Sequence, residues 1–148
     1  MNTHRVFVYG TLMRGLRNHH MMAGAKFCFE TTSLLPAYEM VQFPSTSSPG
    51  NVTPGLRRNG QSCIAGEVFQ VDDDLLDILD EFEGVGEEYE RGKIMLADGS
   101  KAWAYFLIAK KGECAQGTPS FIDRDEETKI VRWNGVEEER VNMKKRAA

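Results

Sequence analysis

The chain has 148 residues, 41% hydrophobic and 27% charged, with a formal net charge of -4 and a pI near 5.4. That size and balance fit a single soluble domain, 1–148, large enough to bury its own core. They argue against a nucleic-acid partner, which needs a basic stripe, and no apolar run approaches the ~20 residues of a membrane span.

Met1-Asn2-Thr3-His4 leads directly into a strand, Arg5–Tyr9, rich in Val and aromatics. This start predicts no signal peptide. Cys28, Cys63 and Cys114 are widely spaced, odd in number and free of any CxxC motif. Reduced thiols, a cytoplasmic location and no zinc site are therefore expected. The strand ends abruptly in Tyr9-Gly10-Thr11-Leu12. No Gly-Lys-Ser/Thr follows and GxGxxG is missing, so neither a Walker loop nor a dinucleotide fingerprint is present. Two readings stay open. One is a plain tight turn. The other is a junction where glycine lets the backbone approach a ligand, its N–H groups forming a concavity suited to a carboxylate.

Arg14–Gly24 reads as a loop followed by a short helix, and its His19-His20 pair invites a metal. Adjacent helical residues point about 100° apart and no third ligand lies near, so no metal site is expected. Lys26–Leu35 and Tyr38–Phe43 read as strands broken apart by Pro36. Pro44–Gly60, about 17 residues of Pro, Ser, Thr, Gly and Asn, reads as a long loop or lid. Cys63–Val71 is a strand with Ile64, Val68 and Val71 toward the core. Asp72–Glu83 is a helix, capped by Asp72 or Asp73 and ended by Gly84.

Tyr89–Leu96 and Lys101–Ala109 form a hairpin around Ala97-Asp98-Gly99-Ser100. Gly112–Ser120 is a loop, and Arg124–Lys145 is charged, with Ile130, Val131, Trp133 and Val136 scattered through it. Residues 110–148 thus read as a charged C-terminal extension carrying a short element or two, loosely attached, with Lys144-Lys145-Arg146 a solvated tail. Some six strands, one clear helix and little βαβ alternation point to an α+β fold. Its sheet is expected to be mostly antiparallel and closed or strongly curled.

The helix carries the most informative residue. With Leu75 at zero and ~100° per residue, Ile78, Phe82, Leu79 and Leu76 fall near 300°, 340°, 40° and 100°. They define an apolar arc. At the same ~100° step, Asp80, Asp77 and Glu81 fall at about 140°, about 200° and about 240°, outside that arc, whereas Glu83 falls at about 80°, between Leu79 and Leu76. Desolvation and the negative end of the helix dipole would both raise the Glu83 pKa and suit it to proton transfer near neutrality. The alternative is that the last turn leaves the ideal wheel and Glu83 ends in solvent.

Val6-Phe7-Val8-Tyr9-Gly10-Thr11-Leu12-Met13-Arg14-Gly15, then Asn18-His19, resembles the start of the gamma-glutamylamine cyclotransferases. Gly66-Glu67-Val68-Phe69, Leu79-Asp80-Glu81-Phe82-Glu83-Gly84 and Tyr89-Glu90-Arg91 follow in the same order as in that family, part of the gamma-glutamylcyclotransferase-like superfamily. The resemblance spans roughly residues 4 to 108. It implies a small β-barrel flanked by helices around one cavity. It also implies a small-molecule gamma-glutamyl substrate, whose alpha-amino group attacks its own gamma-carbonyl to give 5-oxoproline and a free amine. Tyr9, Gly10, Thr11 and Leu12 would hold the alpha-carboxylate, Glu83 would move the proton, and Tyr89 would shape the cavity. No cofactor is implied. Glutathione or gamma-glutamyl amino acids are an alternative substrate class. A non-enzymatic ligand-binding member of the same fold stays open too, as does an enzyme deprotecting a carrier-linked acyl group.

Overall fold

The computed structural model describes residues 2–45 and 50–135. The described residues hold eight strands and one full α-helix: β1 (Thr3–Val8), β2 (Lys26–Thr32), β3 (Tyr38–Pro44), β4 (Val52–Asp72), α1 (Asp73–Glu83), β5 (Tyr89–Met95), β6 (Lys101–Leu107), β7 (Ile122–Arg124) and β8 (Ile130–Trp133). A four-residue 3-10 turn, His19–Met22, precedes β2, and Gly135, the last described residue, is helical as well. Among the described residues, α1 is the one full α-helix that flanks the sheet.

β4 is the spine. Its first part pairs with β3, from Glu39↔Arg57 to Pro44↔Val52. Its last part lies between β1, with Val8↔Glu67 to Thr3↔Asp72, and β2, with Thr32↔Ala65 to Lys26↔Gln70. The sheet runs β5-β6-β1-β4-β8-β7, with β2 and β3 branching from β4. Among the described strands, β1/β6 and β4/β8 are the pairs that run parallel. The curl stops short of a barrel with continuous ladders. β2 and β5 meet at a single isolated bridge, Ser33↔Leu96. Two bonds flank it, Leu34 N–H to Met95 O at 3.0 Å and Ala97 N–H to Thr32 O at 2.9 Å. Buried Ser33 holds that point by accepting from Ile64 N–H at 2.8 Å.

Two apolar clusters result. One, built around Phe7, Ile64, Val68 and Phe106, lies inside the curl. The other packs α1 and the segment after β1 onto the outer face, through Val6, Phe69, Val71, Leu12, Met22 and Leu79. Strict alternation along β1 and β4 sends successive side chains to opposite clusters.

Two expectations change. The stretch Pro44–Gly60 is mostly strand: β3 runs through Pro44 and β4 starts at Val52. Its Pro and Gly residues disguise a paired strand because Pro54 and Gly55 oppose Gln42 and Val41 in a regular ladder. The C-terminal region is not loosely attached within the described residues. Phe121, Val131 and Trp133 are buried in the inner cluster, and β8 pairs with β4. Val136 and Lys144-Lys145-Arg146 lie outside the described residues. No helix among the described residues is long and apolar enough to cross a membrane.

Candidate active site

The segment after β1 and the end of α1 converge on one cavity of about 80 Å³. Tyr9, Gly10, Thr11, Leu12, Glu83 and Tyr89 all line it. Residues seventy positions apart meet because β1 ends where α1 ends: α1 packs along the outer faces of β1 and β4.

The turn is held from within. Met13 N–H donates to Gly10 O at 3.0 Å and Asn18 N–H to Thr11 O at 3.0 Å. The Asn18 side chain donates to Thr11 Oγ1 at 2.9 Å. Among the described residues, the amides of Gly10, Thr11 and Leu12 meet no acceptor. Three N–H groups at one turn are thus available to an anion. The Gly10 requirement has a different cause from the one expected. A Cβ there would lie 2.5 Å from Pro54 Cγ, so the absent side chain makes room for β4, which forms the adjoining wall.

Helix α1 delivers Glu83. Asp72 caps it by accepting from Leu75 N–H at 2.8 Å, and Gly84 ends it with φ 68° in the left-handed region. Leu75, Leu76 and Leu79 are buried, whereas Ile78 and Phe82 are 50% and 39% exposed. The helix therefore faces the sheet with a narrower side than the wheel predicts, shifted toward Glu83. Asp80, expected outside the arc, sits at its edge: it accepts from Tyr105 Oη at 2.7 Å and pairs with Arg91 Nε at 3.3 Å.

The Glu83 carboxyl takes part in no hydrogen bond or ion pair among the described residues. Its surface faces the cavity, so it keeps partial exposure while protein surrounds it densely. Burial, and secondly the Glu88 carboxylate, raise its pKa from 4.5 to about 7. Glu88 also lines the cavity and pairs with Lys111.

Three tyrosines complete the walls, and their hydroxyl protons are committed. Tyr9 donates to Tyr105 O at 2.8 Å, Tyr89 to Pro54 O at 3.1 Å, and Tyr105 to Asp80. Burial raises all three phenol pKa values, so they stay neutral. Sequence reasoning missed Glu88, Tyr105 and Pro54. Glu88 stands beside the expected Tyr89, a usable signal; Pro54 hid in an assumed loop, and nothing in the hairpin singled out Tyr105. His19 does not gather ligands: its Nδ1 lies 2.9 Å from Leu12 O, and the described residues contain no metal-binding cluster.

A desolvated, unpaired carboxyl facing free amides can bind an anionic group at one end of a small ligand and move a proton at the other. Comparison with known proteins places the chain in a family. The family model described as "Gamma-glutamyl cyclotransferase, AIG2-like" matches residues 6–126. A gamma-glutamylaminecyclotransferase of Rattus norvegicus is 35% identical over 88 residues, covering 58% of this chain and 58% of the relative. A gamma-glutamylaminecyclotransferase C of Danio rerio is 34% identical, covering 65% and 64%. The chain thus spans about three fifths of the length of these two relatives. A putative gamma-glutamylcyclotransferase of Vibrio cholerae is 36% identical, covering 69% and 80%. Among solved structures, a uropathogenic E. coli-specific protein superposes with TM-score 0.58 at 29% identity, over 73% of this chain and 81% of that one. An AIG2-like protein of Mus musculus shares the fold with TM-score 0.56 at 23% identity, over 79% and 92%.

Proposed function

The chain belongs to the gamma-glutamyl cyclotransferase, AIG2-like family, and from that premise we propose that it converts a gamma-glutamyl amine into 5-oxoproline and the free amine. The observation that carries this reading is the unpaired Glu83 carboxyl sharing one cavity with the unengaged amides of Gly10, Thr11 and Leu12. In the proposed reaction those amides hold the substrate's alpha-carboxylate. Glu83, ionised, takes a proton from the alpha-ammonium. The freed amine attacks the gamma-carbonyl, forming the ring C–N bond and a tetrahedral centre. That centre collapses as the bond to the departing nitrogen breaks: Glu83 returns its proton to the leaving nitrogen, and the ring nitrogen's second proton passes to the freed amine, which departs as an ammonium. Tyr9, Tyr89 and Tyr105 enclose the glutamyl part without supplying protons. Orientation does most of the catalysis, since the attack is intramolecular.

The amine class is favoured over glutathione by the rat and zebrafish relatives, which are named for amines. The test is a screen of gamma-glutamyl-lysine, gamma-glutamyl amino acids and glutathione, reading 5-oxoproline. Product from the first is expected; none from any of them would leave a ligand-binding protein. Glu83→Gln is expected to abolish turnover while still binding 5-oxoproline, and retained turnover would sink the proton-transfer role. In the native enzyme kcat/KM should rise with pH through an apparent pKa near 7, because only ionised Glu83 accepts the proton.

A further inference from the structure

Glu67 stands out against its surroundings. On β4 it opposes Val8 of β1 and Glu30 of β2. It shares the outer face of the sheet with Phe69 and Val71, which are buried in the cluster that includes Leu12 and Met22. A carboxylate 8% exposed on such a face is costly unless fully paired. Among the described residues, Glu67 is paired at both oxygens, and by a single residue. Arg14 N–H donates to Oε1 at 2.9 Å and Arg14 Nε to Oε2 at 3.2 Å. The guanidinium also reaches Glu30 Oε1 at 3.0 Å and stacks 3.6 Å from the Phe27 ring centroid. Arg14 is therefore tied to two strands, two residues beyond Leu12. Glu67 itself does not line the cavity.

We propose that Glu67, acting through Arg14, is a positioning residue that clamps the Gly10–Leu12 amides in place to receive the substrate's carboxylate. The assignment to a substrate rests on the cyclotransferase reading above; the clamp itself does not. A group that grips the carboxylate in ground and transition state alike contributes to KM and leaves kcat alone. A fold defect does the reverse, lowering the active fraction with KM unchanged.

Glu67→Ala, Glu67→Gln and Arg14→Ala test this by amide hydrogen exchange and kinetics. In Glu67→Ala, exchange at Met13 and Asn18, whose bonds stay within the turn, should quicken roughly tenfold or more, with Ile94 and Ala102 in the β5–β6 hairpin unchanged. KM for a gamma-glutamyl substrate should rise roughly tenfold, with kcat and the pH limb near 7 kept. Arg14→Ala should lose less, because its backbone N–H still bonds Glu67. Glu67→Gln should fall between native and Glu67→Ala, its amide oxygen still serving that N–H. Unchanged exchange at Met13 and Asn18 would overturn the clamp, as would equal quickening across the hairpin. Local quickening in a protein whose native form releases no 5-oxoproline would uphold the clamp and refute the cyclotransferase reading.

Discussion

At neutral pH the Glu83 carboxyl shares its cavity with the Glu88 carboxylate and has no counter-charge of its own among the described residues. The desolvation that underlies its proposed role in proton transfer also weighs on the fold. Its pKa is raised on folding, so its stabilising share is complete below the unfolded value of 4.5 and is lost as pH climbs through about 7. Glu83→Gln should therefore be more stable than the native protein at pH 8, by up to about 3 kcal/mol. The gap should close as pH falls below about 5. Denaturant unfolding of both proteins at the two pH values reads this, and an equal gap at both would refute it. Gly10 makes a purely steric demand: Gly10→Ala sets a Cβ against Pro54 and should destabilise by roughly 1–3 kcal/mol in the same assay.

At the scale of elements, α1 shows what periodicity can and cannot tell. Its span, its Asp72 cap and its Gly84 end are all written locally, and the structure has them. Glu83 between Leu79 and Leu76 on the wheel was also legible, and it does face inward. Ile78 and Phe82 belong to the apolar arc yet stay exposed, because only the docking angle on β1 and β4 decides how much of that arc is covered. That angle leaves Glu81 exposed. Glu81→Gln should hold kcat/KM within about twofold of native. A large loss of rate would mean that the helix presents another face to the cavity. β4 teaches the complementary lesson. Its Pro54 and Gly55 read as loop punctuation, yet pairing with β3 overrides their weak strand propensity.

For the whole molecule, the C-terminal strands matter more than their charge suggests. Trp133 packs beside Phe121 in a tilted arrangement, with ring centroids 6.0 Å apart, and both join the cluster inside the curl. Trp133→Ala should cost about 3–5 kcal/mol, visible as a lower unfolding midpoint. An unchanged midpoint would mean that β8 contributes little to the core. By itself the sequence determined the strands that alternate cleanly, the capped helix, the inward Glu83 and the ordered motifs that carry the family resemblance. Each is a local pattern or a fixed order of residues, readable without knowing what packs where. Only the tertiary structure decided that β4 runs unbroken from Val52, that Pro54 occupies the space Gly10 leaves, and that Glu67 reaches Arg14 across the outer face. Those facts arise from contacts between residues far apart in the chain, and their geometry is set by strand register and helix docking, which no single window of sequence contains.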